Sequence, residues 1–144
     1  MVTENIPLNI LFTSIIGFLV AGSGKILIAY LKKQHVHFTL MFSTGGMPSS
    51  HSATVASLTT GIYMYEGFTS LFVMSLIITC VVMFDAFGVR YQTGKQAKII
   101  NRLMSKEEIK AKRFNESVGH TPKEVFAGAI VGIIVAILFF YATF

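Results

Sequence analysis

One stretch, GGMPSSHSA (residues 45–53), is too polar and too rich in small residues to be an ordinary membrane span, yet it lies between apolar segments. A Pro-Ser-Ser-His run that opens a helix combines backbone N–H donors, two hydroxyl groups and an imidazole. These groups are the ones needed to hold a phosphate and to move a proton. The stretch therefore predicts half of a phosphate site, and the rest of the chain must supply the other half.

The composition on either side of this stretch is that of an integral membrane protein. Of 144 residues, 53% are hydrophobic and 13% are charged, and apolar runs of about 20 residues match a hydrocarbon core about 30 Å thick. The length indicates a single domain, residues 1–144. The N-terminal apolar run is too long for a cleaved signal peptide, and no Lys or Arg precedes it.

Four segments are predicted to cross, or nearly cross, the membrane as helices, and the predicted fold is an all-α membrane helical bundle. The segments begin near residues 6, 48, 69 and 122 and end near residues 31, 65, 89 and 144. The second is rich in Ser and Thr, which is typical of a helix packed inside a bundle. We also expect a cytoplasmic amphipathic helix within residues 95–112 and a short re-entrant or interfacial segment within residues 35–46.

The basic residues predict the orientation. All twelve Lys and Arg fall within residues 25–33 and 90–123. The positive-inside rule assigns both windows to the cytoplasm, which leaves the N- and C-termini of a multi-pass cell-membrane protein outside. A basic loop is also compatible with nucleic-acid binding, but the positive-inside rule is the simpler explanation, so no nucleic-acid partner is predicted.

This topology brings polar residues that are distant in sequence to one membrane face. They are Lys25, Ser49, Ser50, His51, Asp85, Arg90, Lys95, His120 and Glu124. Structural alternatives remain open for several of them. Glu124 can orient His120 from four residues away, or it can close a capping box with Thr121. Asp85 can pair with Arg90 or Lys25, Lys25 can snorkel, and Lys95 with its neighbours can form a head-group wall or a helix start.

The inventory favours phosphoryl transfer without a metal. It lacks the Asp/Glu cluster of a hard-metal site and the Cys/His spacing of a zinc site, so neither a metal nor a cofactor is predicted. Two histidines suit a covalent route in which one imidazole attacks phosphorus and the other protonates the leaving alkoxide. Two alternatives remain: a non-enzymatic binder or transporter of anionic lipids or phosphate, and a metal-dependent phosphotransferase that uses Asp85.

Three motifs together resemble the divergent branch of the phosphatidic acid phosphatase type 2 family, also described as acid phosphatase/vanadium-dependent haloperoxidase-related. They are GGMPSSHSA (45–53), FDAFGVRYQTGKQAKIIN (84–101) and VGHTPKEVFAG (118–128), with Lys25 upstream. The chain departs from the main family pattern: the second motif has Ser-Ser-His rather than Ser-Gly-His, Glu124 replaces an Asp, and Arg90 lies thirty positions before His120.

The resemblance implies a metal-independent phosphatase of lipid phosphates with a phosphohistidine intermediate. His51 would be the general acid, His120 the nucleophile and Glu124 its orienting carboxylate. The predicted substrate-binding residues are Lys25, Ser49, Ser50, Asp85, Arg90 and Lys95. Phosphatidylglycerophosphate and phosphatidate are favoured because both are made at the cytoplasmic face, whereas a prenyl pyrophosphate released outside fits less well. The small number of spans favours a homodimer.

Overall fold

The computed structural model describes residues 5–33, 40–41 and 45–143, and within them it contains five helices. These are α1 (Ile6–Leu31), α2 (Ser50–Glu66), α3 (Ser70–Phe87), α4 (Val89–Lys106) and α5 (Pro122–Thr143). The predicted all-α membrane bundle is confirmed. Most of the segment predicted to be re-entrant or interfacial lies outside the described residues.

Three stretches are long and apolar enough to cross a membrane: α1, the α3–α4 pair (Ser70–Lys106) and α5. The fourth predicted span, α2, has 17 residues, which corresponds to a helix about 25 Å long. It lies at the centre, where it packs against α1, α3 and α5. Apart from that of Ser50, its buried hydroxyl groups bond to backbone or to other hydroxyl groups, as in the 2.8 Å pair between Thr59 and Thr79. Burial inside the bundle therefore explains the high Ser and Thr content of α2.

Small residues let α2 and α5 approach closely. A Cβ atom added to Gly128 would collide with the Ser49 carbonyl oxygen, and one added to Gly132 would collide with that of Ala53. The G-x-x-x-G motif of α5 thus packs against α2 of the same chain. This close contact holds the start of α2, which carries the Pro-Ser-Ser-His motif, against the start of α5.

The amphipathic helix differs in position from its prediction. It begins at Val89, directly after the one-residue break at Gly88, and ends at Lys106 rather than continuing to residue 112. Glu108 has a left-handed φ of 55°, and the N–H of Ile109 donates to the Met104 carbonyl at 2.9 Å. This Schellman arrangement ends the helix. Residues 107–121 consequently return along α4 as a non-helical segment.

Helix ends from different parts of the sequence meet at two opposite sides of the bundle. At one side, the N–H of Ser49 donates to the Glu124 carbonyl at 3.0 Å. At the other side, the hydroxyl groups of Tyr65 and Thr143 are hydrogen-bonded, and Glu66 shares a cavity with Pro7. Chain direction therefore alternates along the sequence from α1 to α2, α3 and α5, so that α2 and α5 run parallel to each other. The two basic windows adjoin the side that carries Ser49.

Candidate active site

A cavity of about 210 Å³ lies at this side of the bundle, and four of the predicted site residues line it. Its lining consists of His51, Val81, Val82, Asp85, Ala86, Arg90 and His120. We call it the histidine cavity. It joins the first turn of α2, the end of α3, the start of α4 and the segment before α5.

The first turn of α2 presents His51 at the exposed rim. Ser49 is the N-cap of this helix: its Oγ accepts from the Ser52 N–H at 3.4 Å and from the Ser52 hydroxyl at 3.0 Å. The Ser49 hydroxyl is therefore already hydrogen-bonded as the N-cap of α2.

Ser50 differs from its neighbour. Its side chain is 1% exposed, and its Oγ is buried without a hydrogen-bond partner among the described residues. An unsatisfied buried hydroxyl costs on the order of 1–3 kcal/mol. Of the two serines predicted to flank a phosphate, Ser50 is the one whose hydroxyl has no partner among the described residues.

The backbone holds His120 against the junction of α3 and α4. The His120 N–H donates to the Ala86 carbonyl at 3.0 Å. Gly119 has a φ of +89°, and a Cβ atom there would collide with the backbone of Arg90 and Tyr91. Only glycine fits both the left-handed conformation and this approach. The long sequence separation between Arg90 and His120 is thereby closed, and both line the histidine cavity.

The two histidines face each other across this cavity. Their ring centroids are 6.4 Å apart and the rings are inclined by 67°. His120 is 3% exposed, and its Nε2 is buried without a hydrogen-bond partner in the part of the chain that the structure describes. The pair thus combines one buried, unpartnered ring nitrogen with one solvent-accessible imidazole.

The surroundings of His120 favour its neutral form. Burial lowers the pKa of His120 to about 4, the positive charges of Lys25 and Arg90 act in the same direction, and Glu124 opposes them. At neutral pH the imidazole is therefore uncharged and keeps a lone pair on one ring nitrogen. That is the form in which an imidazole acts as a nucleophile.

Arg90 and Asp85 form an ion pair at the mouth of the cavity, with 2.5 Å between Arg90 Nε and Asp85 Oδ2. Their side chains are 50% and 39% exposed, so the pair contributes about 1 kcal/mol or less to stability. The main consequence is orientation, because Asp85 holds the guanidinium at the cavity while its terminal nitrogens remain available to an anion.

Two further predicted residues act from outside the cavity lining. Lys25, on α1, is 3% exposed and lies beside Gly46, where a Cβ atom would be 3.5 Å from Lys25 Cδ. Glu124 Oε2 accepts from the Thr121 N–H at 2.8 Å. Glu124 was predicted either to orient His120 or to close a capping box with Thr121, and the hydrogen bond is that of the capping box. Its carboxylate acts on His120 through its negative charge.

Lys95 is not brought together with the histidines. Its Nζ lies 4.4 Å from the centroid of the Tyr91 ring, and the residue lines a separate cavity of about 450 Å³ together with Gly119 and Glu124.

Sequence reasoning did not identify the side chain that fixes the segment leading to His120. The buried side chain of Asn101 bonds to the Phe114 N–H and carbonyl, each at 2.9 Å, and to Glu116 at 2.8 Å. An amide in the middle of a basic helix was the available signal, but its partners lie 13 to 15 residues away.

No group of three or more His, Cys, Asp or Glu side chains that could hold a metal ion occurs within residues 5–33, 40–41 and 45–143. No described residue is therefore assigned to a metal.

The fold and the polar cluster at one end of it define a helical membrane protein with a basic, histidine-containing site. The chain belongs to the Divergent PAP2 family, whose sequence pattern matches residues 7–135. It is also 37% identical over 147 residues to the Uncharacterized membrane protein YuiD of Bacillus subtilis (strain 168), a match that covers 91% of this chain and 93% of that protein. No solved structure matches the chain. The predicted family resemblance is confirmed, and membership favours a phosphatase-related role.

Proposed function

We propose that the protein is a membrane phosphatase that hydrolyses a phosphomonoester or pyrophosphate of a phospholipid or prenyl lipid. The observation that carries the proposal is the pair of histidines across one small cavity, with the buried Nε2 of His120 lacking a partner. A buried polar atom without a partner costs free energy. A phosphoryl group between the two rings would remove that cost.

The reaction proceeds in two steps. His120 Nε2 attacks phosphorus, the bond from phosphorus to the lipid oxygen breaks, and protonated His51 gives its proton to the leaving alkoxide. Water then attacks the phosphohistidine, neutral His51 takes a proton from that water, and the P–N bond breaks. The products are inorganic phosphate and, from a phosphomonoester, the lipid alcohol or, from a pyrophosphate, the lipid monophosphate; both imidazoles return to their starting states.

Positive charge and N–H donors support the transition state. The guanidinium of Arg90, held by Asp85, and the buried ammonium of Lys25 stabilise negative charge on the phosphoryl oxygens. The N-terminus of α2 adds its backbone N–H groups, and the Ser50 hydroxyl is available as a further ligand.

We assign the site to the cytoplasmic face, with both termini outside. The support is the alternating direction of successive spans along the sequence and the position of both basic windows at the Ser49 side. Phosphatidylglycerophosphate and phosphatidate are the favoured substrates because both are made on that face. The homodimer expected from the small number of spans belongs to the same proposal.

Phosphate release from dioleoyl phosphatidate by the purified protein in detergent tests the function. We expect release that persists in the presence of a chelator and falls to background in both His120→Ala and His51→Ala. Release from no lipid phosphate, or full activity in both variants, would refute it.

One observation favours a second candidate, a non-enzymatic binder of anionic lipid head groups. Among the described residues, the Glu124 carboxylate bonds to the Thr121 backbone rather than to His120, so the orienting carboxylate of the phosphatase mechanism is not in hydrogen-bond contact with the nucleophile. Tight binding of phosphatidate without any turnover would support the binder and exclude the phosphatase.

A further inference from the structure

A third cavity, of about 390 Å³, is lined by residues of α1, α2 and α3. Its lining is mostly apolar, with Ile10 from α1, Val55, Leu58 and Ile62 from α2, and Leu71, Met74 and Ile78 from α3. The hydroxyl groups there are already bonded: Ser75 donates to the Phe72 carbonyl at 2.8 Å and Thr79 to the Val55 carbonyl at 3.0 Å. Apart from Glu66 at the outer end, the walls of the cavity present hydrocarbon groups to a ligand.

This apolar cavity continues the histidine cavity along α2. His51 lines the histidine cavity, and Val55, Leu58 and Ile62 line the apolar one. The four residues follow each other at spacings of four, three and four, so they share one face of the helix.

The same continuity is present on α3. Val82 and Asp85 line the histidine cavity, whereas Ile78 and Leu71 line the apolar one. These positions also recur at spacings of three, four and seven and lie on one face. The two cavities are therefore arranged end to end on the same faces of the same two helices, about one helical turn apart.

The length of this arrangement suits a lipid. From His51 to Ile62, at 1.5 Å per residue, α2 rises about 16 Å. That is roughly half of the 30 Å hydrocarbon core, which is the depth of one leaflet. A lipid whose phosphate occupies the histidine cavity would extend its chain over this distance, whereas a soluble phosphate ester would leave the groove unfilled.

We infer that the groove formed by Val55, Leu58 and Ile62 of α2 with Leu71, Met74 and Ile78 of α3 binds one hydrocarbon chain of the substrate. We call it the chain groove. The inference rests on the proposed function, because it states where the remainder of the same substrate lies. Chain length is then a determinant of substrate specificity. The occupant of the groove is the substrate lipid, not bulk lipid or a second copy of the protein.

Photo-crosslinking tests the chain groove without requiring turnover. The probe is phosphatidate with a diazirine in the middle of one acyl chain, added to the full-length protein in detergent micelles. We expect mass spectrometry to locate the label on Leu58, Met74 or their neighbours. Excess dioleoyl phosphatidate should reduce this label at least tenfold more than the same excess of phosphatidylcholine does. Label confined to other surfaces, or equal competition by the two lipids, would overturn the inference.

A steric variant provides a second measurement. The Leu58→Trp side chain fills the groove, and Ile77→Trp, on the exposed face of α3, is the matched control. The quantity compared is the ratio of kcat/KM for dioleoyl phosphatidate to that for dibutyryl phosphatidate. Displacing about two methylene groups should lower this ratio about tenfold in Leu58→Trp, while Ile77→Trp keeps the wild-type ratio. If Leu58→Trp fails to fold, Leu58→Ala should lower the ratio a few-fold by removing contacts.

The two experiments separate the groove from the function. Phosphate release with an unchanged ratio in folded Leu58 variants would overturn the chain groove and leave the phosphatase intact. Absence of phosphate release with competed crosslinks at Leu58 would refute the phosphatase and retain the groove as a lipid-binding site.

Discussion

At the scale of single residues, two buried polar atoms distinguish the site from ordinary bundle packing. The other buried hydroxyl groups of α2, those of Ser52, Ser57 and Thr59, have partners. The Oγ of Ser50 and the Nε2 of His120 do not, within the residues described. Native proteins rarely leave such atoms unsatisfied, so these two are the strongest indication of a ligand.

The adjacent serines provide a matched test of this interpretation. Ser50→Ala removes an unsatisfied hydroxyl, so we expect kcat/KM for phosphatidate to fall by about tenfold while the thermal stability of the protein is maintained or raised. Ser49→Ala removes the N-cap, which costs on the order of 1 kcal/mol of stability. Measuring Tm and kcat/KM for both variants checks the assignment. A lower Tm in Ser50→Ala with unchanged kcat/KM would contradict it.

The protonation of His120 predicts the acid side of the pH profile. An imidazole attacks phosphorus only when neutral, so kcat/KM should fall as pH decreases through the His120 pKa. Because burial and Lys25 lower that pKa to about 4, the acid limb should lie well below the value of about 6.5 of an ordinary histidine. Removing the repelling charge in Lys25→Met should move the limb upward. A wild-type limb at pH 6.5 or above would be inconsistent with His120 as the buried nucleophile.

At the scale of elements, the non-helical segment of residues 107–121 positions His120 on the bundle. Asn101 holds Phe114 and Glu116, Gly119 packs on the start of α4, and the His120 N–H is bonded to Ala86. Three separate contacts thus hold the loop residue His120 against the junction of α3 and α4.

Two glycines with similar φ angles allow the effect of backbone strain to be separated from the effect of a steric clash. Gly119 and Gly67 have φ values of +89° and +76°, but nothing lies within 4 Å of a Cβ atom at Gly67. Alanine at Gly67 should cost about 1 kcal/mol of stability from conformation alone and leave activity unchanged. Alanine at Gly119 has the same strain and also displaces the His120 loop from Arg90, so we expect kcat to fall by about 10²-fold. Equal kcat in the two variants would argue against this role of Gly119.

The accuracy of sequence-based prediction also differs between elements, for physical reasons. The bounds of α1 were predicted correctly because membrane thickness sets the length of an apolar helix. The bounds of α4 were wrong because Gly88 allows a new helix to start immediately and a local Schellman turn ends it early. The partners of Asn101 and the closure between Arg90 and His120 depend on long-range contacts, which neither periodicity nor composition contains. The convergence of His51, Arg90 and His120 could be predicted because each lies next to the end of a span that is at the same membrane face. Residues at the ends of packed spans are necessarily close together.

At the scale of the whole molecule, the asymmetry of charge predicts one orientation. Glu66 lies at the side opposite the basic segments. The one cysteine, Cys80, is exposed on α3, so a Cys80→Ser background permits site-directed labelling.

In that background, Glu66→Cys should react with a membrane-impermeant maleimide in intact cells, because the proposed topology places the α2–α3 turn outside. Lys112→Cys should react only after the membrane is permeabilised. The extent of labelling before and after permeabilisation checks both positions. The reverse pattern would put the site on the outer face and remove the basis for favouring lipids made in the cytoplasm.

The most direct test of the central claim is detection of the covalent intermediate on His120. Protein quenched during turnover of phosphatidate labelled with ³²P on its phosphate should carry label that is stable to alkali, labile to acid and located in the peptide containing His120. His120→Ala should lose this label, while Ser49→Ala should retain it. Phosphate release without any labelled protein, or label that persists in His120→Ala, would contradict a mechanism in which His120 is the nucleophile.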